Sequence, residues 1–270
     1  MKFALCNEIF RNLPLEDAFH KIADIGYEGV EIAPFTLQAN PRDLTEPDAD
    51  RCRTAAERAG LEVVGLHWLM AETEGLHLTH SDPAILEITQ EYLIKLGQLT
   101  ARMNGSILVL GSPQQRNLLP GTTYEQAFER AVKLMKEVCQ QIEDLGVAFA
   151  IEPLAKVETD FLSSCAQGSD FVKAVNHPAC GLHLDVKAMT AEPNGVCPAI
   201  QEFHEDCIHF HANDSNLRGP GQGDTNFIDV ANALKEVNYN RWVSVEAFDY
   251  FPDEGACARI SLENLRNSFS

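Results

Sequence analysis

The chain has 270 residues, 45% of them hydrophobic and 23% charged, with a formal net charge of -19 and a pI near 4.8. This composition excludes a disordered chain and leaves enough apolar material for a large core. So acidic a balance excludes a general binder of nucleic acid or anionic membrane, which needs Lys/Arg patches facing phosphate; the expected partner is a small molecule.

Short β-type runs alternate with longer helical patterns from the first residues onward. Strands are predicted at 2–6 (KFALC), 28–32 (EGVEI), 62–67 (EVVGLH) and 106–110 (SILVL), then at 147–151 (VAFAI), 181–185 (GLHLD), 207–211 (CIHFH) and 242–246 (WVSVE). Helical patterns fall between and after them at 15–25, 46–59, 83–103, 122–144, 167–176, 197–204, 228–237 and 255–267, with caps predicted at Asp82 and Thr122. The stretches ADIGYEGVEI, AERAGLEVVG and IEDLGVAFAI each end a helix at a glycine and then enter an apolar strand.

Eight βα units in a chain close to the roughly 250 residues common for this architecture predict one (β/α)8 TIM barrel, a single domain over 1–270. A doubly wound sheet with a dinucleotide site would place a glycine-rich turn after its first strand, and NEIFRN has no glycine. Eight cysteines are scattered without a CxxC pair, which predicts reduced thiols and a cytoplasmic protein. The N-terminal MKFALCNEIF, interrupted by Asn7 and Glu8, is neither a signal peptide nor a membrane span.

In a (β/α)8 enzyme the active site lies at the C-terminal ends of the strands. Glu152, Asp185, His211 and Glu246 end the predicted strands five to eight in succession. Each alone reads equally well as a cap or a surface charge, but the shared position on four consecutive strands points to one site. Three carboxylates around one mouth would repel one another, and a divalent cation resolves that repulsion. Oxygen ligands plus one imidazole favour Mn²⁺, Mg²⁺ or Co²⁺, with Zn²⁺ allowed.

His183 and His209 precede Asp185 and His211 by two residues and share their face one layer deeper. The simplest expectation for both is a buried histidine with its hydrogen bonds satisfied, the sharper one support of a ligand from behind. His67 and Trp68 at the end of the third strand are candidate substrate contacts, the indole offering an apolar face to a sugar. Gln114, Gln115 and Arg116 follow the fourth strand and are candidates for sugar hydroxyls or phosphate. The stretch 68–82 is long enough for a lid, and the glycine-rich 217–227 is expected to let backbone approach the substrate.

The segments IEPLAKVETDF, GLHLDVKAM, HFHANDSNLRGPGQG and WVSVEAFDY, in this order, resemble the xylose isomerase-like TIM-barrel superfamily, nearest to ketose 3-epimerases of the D-tagatose 3-epimerase type. The resemblance implies one divalent metal on Glu152, Asp185, His211 and Glu246, with Glu152 and Glu246 as an acid/base pair on opposite faces of a sugar. It implies substrate contacts at Glu158 and, after the metal histidine, at Arg218, and an assembly that is a homo-oligomer, dimer or tetramer. The chain departs from the family where LDTFHM becomes LDVKAM, placing Lys187 and Ala188 at the sugar-contacting segment, and where Ala155 and Lys156 replace Asn-Arg.

The reaction so implied is metal-dependent isomerisation or epimerisation of a ketose or related keto-sugar or polyol through an enediolate. The same site suits a dehydratase or lyase acting on an inosose-like keto-polyol. An endonuclease IV-like zinc nuclease would need more metal histidines and a basic face, and a non-catalytic sugar-binding barrel would fit the altered VKAM segment.

Overall fold

A computed structural model describes all residues, 1–270. The strands are β1 (Lys2–Cys6), β2 (Gly29–Ile32), β3 (Glu62–Leu66), β4 (Ile107–Leu110), β5 (Ala148–Ile151), β6 (Cys180–Asp185), β7 (Cys207–Ala212) and β8 (Trp242–Val245). They are all parallel and close into a barrel in chain order, with Phe3 opposite Val243 where β1 meets β8. The helices are α1 (Leu15–Ile25), α2 (Glu46–Ala59), α3 (Pro83–Arg102), α4 (Tyr124–Ile142), α5 (Cys165–Val175), α6 (Val186–Met189), α7 (Val196–Phe203), α8 (Phe227–Glu236) and α9 (Glu254–Phe269).

Every predicted strand and long helix is present, and α6 is one short turn that the sequence pattern had not set apart. Asp82 caps α3 by accepting from Ala84 N–H at 2.9 Å. The cap of α4 is Thr123 rather than Thr122: its hydroxyl accepts from Gln126 N–H, and the Gln126 side chain returns to the Thr123 N–H. The repeated helix-to-strand turns do use left-handed glycines, with φ of 109° at Gly26, 76° at Gly60 and 69° at Gly146.

Two apolar layers hold the barrel. The larger lies between sheet and helices, where Phe19, Phe149, Phe171 and Phe210 are fully buried. A smaller plug of Ala4, Val64, Ile107, Val109 and Ala150 forms a separate cluster. Toward the C-terminal ends of the strands the buried residues include ionisable ones: Glu31, His67, His183, His209 and His211. Charge is expensive to bury unless it is paired, so this end of the barrel is built for something other than packing.

Two strand irregularities lie within that region. The β2–β3 register shifts between Val30 and Glu31, and the β6–β7 register shifts between Leu182 and His183. Such bulges re-aim the side chains beside them, here a buried carboxylate and a buried imidazole. No helix is long and apolar enough to cross a membrane.

Candidate active site

Four consecutive strands deliver three carboxylates and one imidazole to one mouth because a parallel barrel points every strand the same way. Glu152 and Glu246 follow β5 and β8 directly, Asp185 ends β6 and His211 lies one residue inside the end of β7. Glu152 and Glu246 line a cavity of about 200 Å³ together with His67, Trp68, Glu158, Lys187 and Phe248.

Donor atoms of Glu152, Asp185 and His211 fall within 4.8 Å of one another, and the fourth member of that compact group is His183. Glu246 is held beside it: Trp68 Nε1–H donates to Oε1 at 2.7 Å and His211 Nδ1 lies 3.2 Å from Oε2. Asp185 is oriented by Ala188 N–H at 2.7 Å and by Asn213 Nδ2 at 2.5 Å. The α6 turn explains the first of these contacts, since Asp185 is its N-cap.

Electrostatics separates the two glutamates. Burial, followed by the charges of Glu246 and Asp185, pushes Glu152 up to about 8. Burial raises Asp185 as well. Burial opposes ionisation of Glu246 too, yet the adjoining His211 holds it below the usual carboxylate range. His211 is raised against burial because its ring lies between the carboxylates of Glu31 and Glu246.

Glu31 was not anticipated. It is fully buried on β2 and accepts from His211 Nε2–H at 2.9 Å and from His209 Nε2–H at 2.7 Å. The bond to Nε2 leaves Nδ1 as the His211 nitrogen on the Glu246 side, the kind of outer carboxylate that fixes a metal-binding histidine. A signal existed in the sequence, a glutamate inside the apolar run EGVEI, but its partners lie on β7. Glu8 plays a similar part for His67, accepting from Nε2–H at 2.9 Å.

The predicted substrate contacts divide. His67, Trp68, Glu158 and Lys187 line the cavity, and Trp68 does so in a left-handed conformation at φ 54°. Lys187 Nζ donates to Glu158 at 2.7 Å and lies 4.7 Å from the Phe248 ring centre. Arg218 does not line the cavity. Its Nε–H donates to Asp249 at 3.0 Å, its guanidinium packs over Phe251, and Leu217 takes the place beside the mouth.

Arg116 is fully buried and donates to the Glu152 backbone carbonyl at 2.7 Å, so it braces the loop under Glu152 instead of meeting sugar or phosphate. Burial lowers it to about 10. Gln114 and Gln115 border a neighbouring recess with Arg11 and Phe35. The 68–82 stretch is pinned by Tyr92 O–H to the Leu69 carbonyl at 2.7 Å and Leu78 N–H to the Gln115 carbonyl at 2.7 Å, which argues against a free lid. The glycines of 217–227 let Ser261, Asn264 and Asp214 approach the loop, so their role is packing against α9 and within the loop.

His183 is buried as expected, but it is not satisfied: neither ring nitrogen has a hydrogen-bond partner. An orphaned imidazole grouped with two carboxylates and a second imidazole is a donor set suited to a cation. That fits a divalent metal at this site.

The model of the xylose isomerase-like TIM barrel family matches residues 19–268. A D-psicose 3-epimerase of Ruminiclostridium cellulolyticum is 26% identical over 232 residues, covering 84% of this chain and 76% of that protein. An L-ribulose 3-epimerase of Methylomonas sp. is 25% identical over 226 residues, covering 84% and 76% respectively. The crystal structure of D-psicose 3-epimerase with D-tagatose from Clostridium cellulolyticum H10 shares the fold at a TM-score of 0.86, with 20% identity and 100% of both chains covered.

Proposed function

The chain belongs to the xylose isomerase-like TIM barrel family, and on that footing we propose that it is a divalent-metal-dependent sugar epimerase or isomerase. Its substrate is a ketose or related keto-sugar, and the reaction moves a proton on carbon. The observation that supports this most is the pair of carboxylates, Glu152 and Glu246, lining one small cavity that also contains Trp68 and the Lys187–Glu158 pair. The names of the relatives, D-psicose 3-epimerase and L-ribulose 3-epimerase, support the same reading.

Glu152, Asp185, His211 and Glu246 hold the metal in this reading. When bound, a divalent ion polarises a carbonyl and acidifies the neighbouring C–H. Manganese, magnesium or cobalt suits the carboxylate-rich ligands, zinc less so.

Proton transfer belongs to the glutamates. One removes the proton from carbon, and the other delivers a proton to the opposite face, which inverts the centre. Return of the proton to the adjacent carbon gives an aldose instead. Trp68 N–H and His211 fix the Glu246 carboxyl before substrate arrives, while Arg116 holds the backbone at Glu152. Trp68 and Phe248 offer apolar faces to the sugar, and Lys187 and Glu158 offer a donor and an acceptor to its hydroxyls.

We further propose that residues 1–270 work as one domain in the cytoplasm, which the eight free cysteines support. Exposed Val157, Leu217 and Phe251, on loops at the catalytic end, support burial against another copy in a homo-oligomer.

The test is solvent deuterium exchange, followed by proton NMR, across ketoses, inososes and keto-glycosides. The whole protein should exchange one carbon-bound proton of its substrate. Glu152→Gln and Glu246→Gln should each abolish exchange while substrate binding stays within about tenfold; exchange retained in both variants rules out the paired glutamates.

A further inference from the structure

Four histidines occupy the upper barrel interior, and three of them have a partner for at least one nitrogen. His67 Nε2 meets Glu8 at 2.9 Å, His209 Nε2 meets Glu31 at 2.7 Å, and both His211 nitrogens meet carboxylates, at 2.9 and 3.2 Å. His183 alone has neither nitrogen paired, although it is fully buried. Buried polar atoms nearly always find a partner, so this ring is arranged around something the protein chain does not supply.

Its surroundings identify the class of that partner. His183 lies two residues before Asp185 on β6, so the strand pleat turns both side chains to the same side. Its Nε2 is 3.9 Å from Glu152 Oε1, too far for a hydrogen bond. One donor atom each from Glu152, His183, Asp185 and His211 lies within 4.8 Å of the others. An ion with donors at about 2.1 Å spans such a set with little movement. The register shift between Leu182 and His183 is the local feature that re-aims this ring.

We propose that His183 is a further metal ligand, a second imidazole that joins Glu152, Asp185 and His211 around the ion. The inference rests on the metal-dependent reading above and adds a ligand to it. Its chemical consequence is a softer site. With two imidazoles the balance shifts from Mg²⁺ toward Co²⁺ or Zn²⁺, because nitrogen donors favour the borderline ions over a hard one.

Pulsed EPR of the whole protein loaded with Mn²⁺, with its histidines labelled with ¹⁵N, counts the imidazoles bound to the ion. Two directly coupled imidazoles are expected. His183→Leu should leave one, weaken Mn²⁺ binding in calorimetry by about tenfold or more, and lower the preference for Co²⁺ over Mg²⁺. A single coupled imidazole in the unaltered protein overturns the inference while leaving metal dependence intact, and this measurement needs no variant to fold. Unchanged affinity in a folded His183→Leu protein also overturns it. If the unaltered protein binds no Mn²⁺, Co²⁺ or Mg²⁺, the metal-dependent reading fails, and this inference with it.

Discussion

Glu31 on β2 and His211 on β7 meet at 2.9 Å across the barrel interior, both fully buried. Two elements that are far apart in sequence thereby fix the orientation of one imidazole. The carboxylate also takes the His209 N–H, so its two oxygens serve two rings from the same strand.

Replacing Glu31 by Gln leaves one oxygen to accept and puts an NH₂ against an N–H on the other side. His211 should then lose its fixed tilt, and Mn²⁺ affinity should fall by about 10- to 100-fold, the usual effect of removing such an outer carboxylate. Calorimetric titration of the folded variant measures this. Affinity within twofold of the unaltered protein would show that β7 alone holds the ring.

Gly111, immediately after β4, lines the cavity, and a Cβ there would overlap Glu152 Oε2. This is a glycine required by close approach of a side chain. Gly111→Ala should displace the Glu152 carboxyl and slow carbon-proton exchange by about a hundredfold, with a small change in melting temperature. Exchange by Gly111→Ala at the parental rate would mean that Glu152 adjusts without loss, contrary to a positioned acid/base.

In the proposed reading, a cation on these side chains competes with protons. Burial, then Glu246 and Asp185, raises Glu152 from 4.5 to about 8. Burial raises Asp185, and His211 is raised, against burial, by Glu31 and Glu246. All three hold protons more tightly folded than unfolded, so the metal-free protein loses stability from this site as pH rises from about 4.5 through about 8. An ion that replaces those protons should therefore raise the melting temperature more at the upper end of this window than at the lower. Thermal melts with EDTA and with Mn²⁺ across the range measure the difference; a metal-induced shift that shrinks as pH rises contradicts the assignment.

Much of the molecule was legible in one dimension. Alternating βα periodicity marked all eight strands, because each apolar run must be buried on both faces of a parallel sheet. The rule that strand ends form the catalytic mouth then singled out Glu152, Asp185, His211 and Glu246 without knowledge of any contact. His67, Trp68, Glu158 and Lys187 also line the cavity, while Arg218 does not, since Asp249 and Phe251 capture its side chain at the rim.

By itself, then, the sequence determined the barrel, its order and the residues that end its strands, since these depend on local periodicity and on a fixed strand direction. Only the tertiary structure decided which side chains complete one another. The partners of Glu31 lie on β7, Gly111 matters because of Glu152, and His183 is distinctive because nothing pairs with it. Such facts depend on distances between segments remote in the chain and on which buried polar atoms remain unpaired. No local pattern encodes them.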